Sequence, residues 1–178
     1  MIELDDLIVL LLGAPTKNLA IKNRLQGITR LEKLVFLLEH ETNLVDILDE
    51  RSNFRPYNFG PFSEEIYKSV GYLSAYGLLN DTSSLSNNMD DAWENLNEIG
   101  DGHPDPYATR NFQLTKLGLE YYESLAEDVE QRGSYIEELS AFKDRFAALT
   151  LRQLVRYVYT HYPQMTTQSQ IRDQVMHQ

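Results

Sequence analysis

One acidic segment in the middle of the chain constrains the fold more than any other feature. Between Asn80 and Asp105 the sequence holds seven acidic residues and no basic one, so most of the net charge of −11 lies there. Apolar residues in this segment follow no sustained strand or helix period, which predicts a long loop. Met89, Trp93 and Leu96 are the exception, because their spacing fits about two helical turns.

The residues on either side of the acidic segment predict two paired strands. Leu78-Leu79 precedes the segment, and the run from Tyr107 to Leu114 follows it. Two strands that flank one loop form a β-hairpin when they pair. We therefore expect a hairpin whose connection is the acidic segment.

Helix signals lie before and after this hairpin. Thr29 and Glu32 match the Thr-x-x-Glu capping box, and an apolar stripe follows them, which predicts a helix that begins at Thr29. The other predicted helices are Asp5 to Leu12, one capped by Ser63 that runs to about Tyr76, one capped by Thr115, one that begins with a second capping box at Ser134 and Glu137, and one capped by Thr150.

This order of elements predicts a mainly α (α+β) fold of the winged-helix type. We assign residues 1–132 to a winged-helix-like domain whose hairpin wing carries an acidic insert at 80–105. Residues 133–178 are predicted to form a C-terminal helical extension, packed either on the core or on a dimer partner. The phrase from Leu114 to Gly118, Leu-Thr-Lys-Leu-Gly, also resembles the LT-x-x-G phrase that often follows the wing of winged-helix regulators.

Composition excludes several classes of function. The chain has no cysteine, so disulfides, thiol nucleophiles and thiolate metal sites are excluded. Its four histidines are scattered, and no HExxH, P-loop or GxSxG motif is present. The longest aliphatic run, Leu7 to Leu12, is far shorter than the roughly 20 residues that span a bilayer. We therefore expect a cytoplasmic, non-enzymatic protein with no catalytic residue, cofactor or metal, and no membrane association.

The most distinctive stretch is an aromatic turn between Phe54 and Ser63, rich in phenylalanine and proline. One interpretation is that its aromatic rings fill the core beneath the following helix. The other is that rigid aromatic residues are displayed as anchors for a protein partner. Under the second interpretation the candidate partner-binding residues are Tyr57, Phe59, Pro61 and Phe62.

Basic residues give a separate set of candidates for binding nucleic acid. Arg30 and Lys33 lie on the helix that begins near Thr29, and Arg152 and Arg156 lie one turn apart on a later helix. These residues form either a phosphate-binding patch or ordinary solvated faces. The predicted helix before the wing carries Glu64 and Glu65, and with the acidic insert it opposes contact with a phosphate backbone.

Two stretches together resemble a known family. Residues 28–37, Ile-Thr-Arg-Leu-Glu-Lys-Leu-Val-Phe-Leu, and residues 59–67, Phe-Gly-Pro-Phe-Ser-Glu-Glu-Ile-Tyr, are similar to winged-helix-like proteins related to the Panacea domain, the SocA-like antitoxin group. Those proteins pair a Lys-Leu-x-x-x-Leu helix with a Tyr-Gly-Pro turn. The resemblance covers about residues 28–80. It implies a winged-helix-like fold and a role in neutralising toxins or adapting protein partners.

The sequence therefore favours a protein-binding regulatory module of the antitoxin or adaptor kind. Its expected partner is a toxin or another regulated protein. The first alternative is a homodimeric winged-helix transcription regulator that binds DNA. A minor alternative is an acidic mimic of nucleic acid that occupies a DNA-binding partner. Fold analogy alone does not choose among these functions.

Overall fold

The computed structural model describes residues 1–58, 60–85, 108–169 and 172–176. Within these ranges the fold is mainly helical with small antiparallel sheets, which confirms the predicted class. The helices are α1 (Leu4–Gly13), α2 (Ile28–Glu41), α3 (Glu64–Ala75), α4 (Lys116–Glu130), α5 (Tyr135–Phe146), α6 (Leu151–His161) and α7 (Arg172–Met176). The strands are β1 (Arg24–Gln26), β2 (Arg55–Tyr57), β3 (Gly60–Phe62), β4 (Leu79–Leu85) and β5 (Ala108–Leu114). No helix in the described ranges is both long and apolar enough to cross a membrane.

The larger sheet contains the predicted hairpin. Its strand order is β1-β5-β4, with every neighbouring pair antiparallel. Leu79 pairs with Leu114 and Leu85 pairs with Ala108, so β4 and β5 are adjacent as the sequence predicts. The smaller sheet is the β2–β3 hairpin of the aromatic turn, in which Arg55 pairs with Phe62.

The acidic insert begins later than predicted. Residues 80–85, assigned to a loop, belong to β4 because their backbone groups pair with β5 across the whole ladder. Because the side chains of this stretch are mostly polar, the sequence pattern did not predict the strand, which is fixed by backbone pairing. Residues 86–107, including Met89, Trp93 and Leu96, lie outside the described residues, so the loop assigned to 86–105 and the strand start assigned to Tyr107 stay predictions.

The core is built around α1. Its residues from Leu7 to Leu12 are buried on nearly all sides, as the continuous aliphatic run predicts. This helix contacts α3, α4 and α5, while α2 contacts α6. Leu139 of α5 and Leu154 of α6 belong to the same buried cluster as α1 and α2. The C-terminal extension therefore packs on the core of its own chain.

Three predicted helix caps are confirmed. The Ser63 hydroxyl accepts a hydrogen bond from the Glu65 amide at 3.3 Å, and the Thr115 hydroxyl accepts one from the Gly118 amide at 3.0 Å. Thr150 accepts one from the Gln153 amide at 3.2 Å. Each hydroxyl satisfies an amide that the start of a helix leaves unpaired, so these starts are set locally.

Two predicted capping boxes are wrong. Helix α2 begins at Ile28, after Gly27 at φ 98°, so Thr29 and Glu32 lie inside the helix and are buried. The carboxylate of Glu32 instead accepts from the Ser63 amide at 3.3 Å. Helix α5 does begin after Ser134, but its side chain makes no capping hydrogen bond.

The Leu-Thr-Lys-Leu-Gly phrase joins the end of α3 to the start of α4. The Thr115 hydroxyl donates to the Gly77 carbonyl at 2.6 Å, and the Thr115 amide donates to the Leu78 carbonyl at 3.1 Å. A Cβ atom added at Gly118 would lie 2.1 Å from the Leu78 oxygen. Only glycine fits this close approach, which explains the last residue of the phrase.

Candidate functional site

The aromatic turn is fixed to α2 by a buried lysine. Lys33 is 0% exposed, and its Nζ donates a hydrogen bond to the Pro61 carbonyl at 2.9 Å. The carboxylate of Glu32, also fully buried, lies 3.7 Å from the same Nζ. The carboxylate and the carbonyl compensate the buried ammonium group for the hydrogen bonds to water that it loses. Helix α2 and the aromatic turn therefore contact each other through this lysine.

A second set of buried polar contacts continues this network beneath the turn. The Ser63 hydroxyl donates to the Ser52 carbonyl, and the Ser52 amide donates to a Glu39 carboxylate oxygen at 3.0 Å. Burial raises the pKa of the Glu39 carboxyl above its ordinary value. The network connects Ser52, just before the turn, and Ser63, its last residue, to α2, so it holds the β2–β3 hairpin in a fixed position.

The partner-binding assignment is wrong for two residues of this turn. Phe62 is 0% exposed, and Pro61 is also buried, so neither presents a surface for a partner. Phe62 packs against the rings of Tyr57 and Tyr67, with centroids at 4.9 and 5.7 Å. These two residues follow the core interpretation, because β3 lies directly over α2. Tyr57 is half-buried, and Phe59 lies outside the described residues.

Gly60 shows how closely the turn is packed. It adopts φ 92°, a conformation that favours glycine, and an added Cβ would lie 2.8 Å from the ring of Tyr159. The hydroxyl of Tyr159 in turn lies 2.6 Å from the Ser169 hydroxyl. The turn is therefore held from its other side by α6 and the segment that follows it.

The basic candidates for nucleic-acid binding are only partly surface groups. Lys33 is buried, so its assignment to a phosphate-binding patch is wrong, because its ammonium group bonds within the core. Arg30 is half-buried and donates to the Gln26 and Leu149 carbonyls at 3.1 and 3.0 Å. On α6, Arg152 is half-buried and Arg156 is exposed. The structure brings Arg30 to the start of α6, where Arg152 lies.

The two most exposed tyrosines among the described residues lie on the outer face of α3 and at its C-terminal end. Tyr72 is 55% exposed and Tyr76 is 70% exposed. They are four residues apart, so they share one face, opposite the buried Val70. Sequence reasoning missed both residues as candidates, although their spacing opposite the apolar stripe was a usable signal.

The charged residues of the same face are acidic or already paired. Glu64 and Glu65 occupy the first turn of α3. Lys68 forms an ion pair with Glu65 at 2.9 Å, and Glu64 pairs with Arg55 at 3.2 Å. Both pairs are solvent-exposed, so they contribute little to stability and remain available to a partner.

An open cleft lies beside this face. Its volume is about 530 Å³, and it is formed by α3, the start of α1 and residues 49–53. Its lining contains five carboxylates, from Glu3, Asp5, Asp49, Glu50 and Glu65. Two basic side chains, Arg51 and Lys68, offset them in part. Tyr72 forms part of the wall, so an aromatic ring and an acidic surface meet there.

A third exposed tyrosine reaches the first turn of α1 from α4. The Tyr121 hydroxyl donates to the Asp6 carboxylate at 2.6 Å. Partial burial and this hydrogen bond raise the pKa of Tyr121 to about 12, and the neighbouring Asp5 and Glu3 carboxylates act in the same direction. Tyr121 therefore stays neutral at ordinary pH, and the residue is 38% exposed beside these acids.

The surface around the cleft presents aromatic rings beside carboxylates. Among the described residues, no group of three or more histidine, aspartate or glutamate side chains is arranged to hold a metal ion. The surface offers tyrosine rings and carboxylates, which suit a protein surface that carries positive charge. Comparisons of the chain with protein-family models, curated proteins and solved structures found no match.

Proposed function

We propose that this chain is a non-enzymatic, cytoplasmic protein-binding module of the antitoxin or adaptor kind, built on a winged-helix-like core. The observation that carries the proposal is the outer face of α3. This face presents Tyr72 and Tyr76 together with acidic side chains. Exposed tyrosines are frequent anchors in protein interfaces, whereas glutamates oppose a phosphate backbone.

The order of elements supports the winged-helix part of the proposal. Along the chain come α1, β1, α2, the short β2–β3 hairpin, α3 and then the β4–β5 hairpin, and β1 pairs with β5. In a winged helix the helix before the hairpin wing is the one that reads DNA, and here that helix is α3. The position that would contact DNA therefore carries a surface better suited to a protein.

The alternative, a homodimeric DNA-binding regulator, has less support from the side chains. Lys33 is buried, and Lys68 on α3 is paired with Glu65. Arg30 bonds to carbonyl groups of its own chain. Of the four basic candidates this leaves Arg152 and Arg156, which lie on α6 and not on the helix that normally reads bases.

Co-expression tests the proposal directly. The chain is produced together with each protein encoded beside its gene, and complex formation and cell growth are measured. We expect one such protein to form a stable complex with the chain, or to be toxic when the chain is absent. In parallel, a fluorescent DNA duplex from the region upstream of the gene is titrated with the chain at several salt concentrations.

We expect no sequence-selective binding of that duplex near physiological salt. Tight selective binding that is lost in the Arg152→Gln, Arg156→Gln variant would refute the proposal and establish the regulator alternative. Failure of every neighbouring protein to bind, together with selective DNA binding, would have the same meaning.

A further inference from the structure

We infer that the partner binds through an arginine-bearing segment that lies on the outer face of α3 and extends into the adjacent acidic cleft. This inference rests on the proposed function and names the surface and the chemistry of the partner. We call this surface the tyrosine-acid face and define it by Tyr72, Tyr76, Asp5, Asp49 and Glu50.

The aromatic part of the tyrosine-acid face is a helix surface that no other described element covers. Tyr72 and Tyr76 are more than half exposed, and Lys68 lies one turn before Tyr72 on the same side of α3. Two exposed tyrosines on one rigid helix can bind a ligand without ordering a flexible segment first.

The charge of the cleft decides which kind of occupant fits. Asp49 and Glu50 are exposed and Asp5 is half-buried, and no described side chain forms a salt bridge with any of the three. Glu65 is the only cleft carboxylate among the described residues with an ion-pair partner, which is Lys68. A cationic ligand would therefore gain favourable interactions without first breaking many existing ones.

The combination of rings and carboxylates favours arginine over lysine. A guanidinium group stacks on the face of a tyrosine and can also donate two parallel hydrogen bonds to a carboxylate. Here Tyr72 forms part of the cleft wall with Asp5 and Asp49, so both interactions are available at one place. The cleft that the face includes has a volume of about 530 Å³, which suits a peptide segment rather than a single ion.

Fluorescence anisotropy with a labelled oligo-arginine peptide tests the inference. An oligo-lysine peptide of equal length and an oligo-glutamate peptide serve as comparisons. We expect the oligo-arginine peptide to bind more tightly than the oligo-lysine peptide, and binding of both to weaken with added salt. The Tyr72→Ala, Tyr76→Ala variant should bind oligo-arginine about five-fold more weakly and lose the preference over oligo-lysine.

A charge-matched pair of variants separates this face from general attraction to an acidic protein. Asp49→Asn, Glu50→Gln removes two charges from the face. Glu123→Gln, Glu127→Gln removes two exposed charges from α4, on the side of that helix turned away from Tyr121. We expect the first variant to weaken oligo-arginine binding several-fold more than the second, with circular dichroism showing that all variants remain folded.

Equal weakening in the two charge variants, or no effect of the tyrosine substitutions, would overturn the inference. Such a result would leave the proposed function standing if a neighbouring protein still forms a complex with the chain. If such a complex does form, it should be weakened by the substitutions at Tyr72 and Tyr76. A complex that is indifferent to them would also overturn the inference, because the partner would then bind elsewhere.

Discussion

Lys143 should make the stability of this protein increase with pH in the alkaline range. It lies on α5, is 1% exposed, and donates from Nζ to the Leu12 and Ala14 carbonyls at 2.6 and 3.1 Å. These carbonyls lie at the C-terminal end of α1, the negative end of the helix dipole. Burial nevertheless lowers the pKa of Lys143 from 10.5 to about 8.

The sign and size of the effect follow from proton linkage. The pKa of Lys143 is lower in the folded state, so between about pH 8 and about pH 10.5 the unfolded chain binds more protons than the folded one. Stability therefore increases with pH in that window, by about 1.4 kcal/mol per pH unit at most. From about pH 7 to about pH 10 the expected gain in the free energy of unfolding is about 2 to 3 kcal/mol.

The assay compares the wild type with Lys143→Met in urea unfolding at a series of pH values. Other groups, such as Tyr159, whose pKa burial raises to about 12, titrate in both proteins, so their contribution cancels in the difference. The free energy of unfolding of the wild type minus that of the variant should increase with pH by the amount calculated above. Lys116→Met is the matched control, because the Lys116 side chain is 93% exposed, and its difference should stay nearly constant.

A difference that stays flat or falls between about pH 7 and about pH 10 would refute the reasoning. It would mean that the two carbonyl groups and the α1 dipole stabilise the ammonium form enough to compensate for its burial. If Lys143→Met fails to fold at neutral pH, direct titration of the lysine by NMR supplies the same information. A folded-state pKa near 10.5 would then contradict the expectation.

Three further predictions concern the packing, and all are measured as free energies of unfolding in urea. Gly118→Ala should destabilise the protein by about 1 to 3 kcal/mol, because the added Cβ would lie 2.1 Å from a backbone oxygen. Gly71→Ala should stabilise it by about 0.5 to 1 kcal/mol, because Gly71 lies on α3 with open space around it. Equal effects of the two substitutions would contradict this prediction. Phe62→Ala should lower the free energy of unfolding by about 3 to 5 kcal/mol, and Tyr57→Ala should lower it clearly less. The reverse order would show that Phe62 is a surface residue. Lys33→Met should cost about 3 to 5 kcal/mol by leaving a carboxylate buried without its partner, so a neutral result would show that the ion pair is dispensable.

The start of a helix was predicted correctly where one capping side chain determines it. Ser63, Thr115 and Thr150 cap their helices because each hydroxyl lies within reach of an amide two or three residues later. The capping box at Thr29 was wrong for a physical reason. Gly27 has a positive φ angle, so the helix begins one residue before Thr29. The buried Glu32 carboxylate accepts a hydrogen bond from the Ser63 amide and not from the start of its own helix.

The candidate site was less predictable, since it depends on which surfaces the fold covers. A sequence places lysine on a solvated face by default, yet Lys33 lies under the aromatic turn because β3 packs over α2. The same packing buries Pro61 and Phe62, which the sequence offered as anchors. Tyr72 and Tyr76 became candidates only when the structure showed nothing described lying over them.

The sequence by itself determined the fold class, the hairpin around the acidic segment and the buried position of α1. These follow from local caps, apolar periods and composition, which act between residues that are close in the chain. Tertiary structure alone decided the surroundings of Lys33, Lys143 and Tyr72. Each of them contacts residues far away along the chain, so its exposure is set by how separate elements pack against each other.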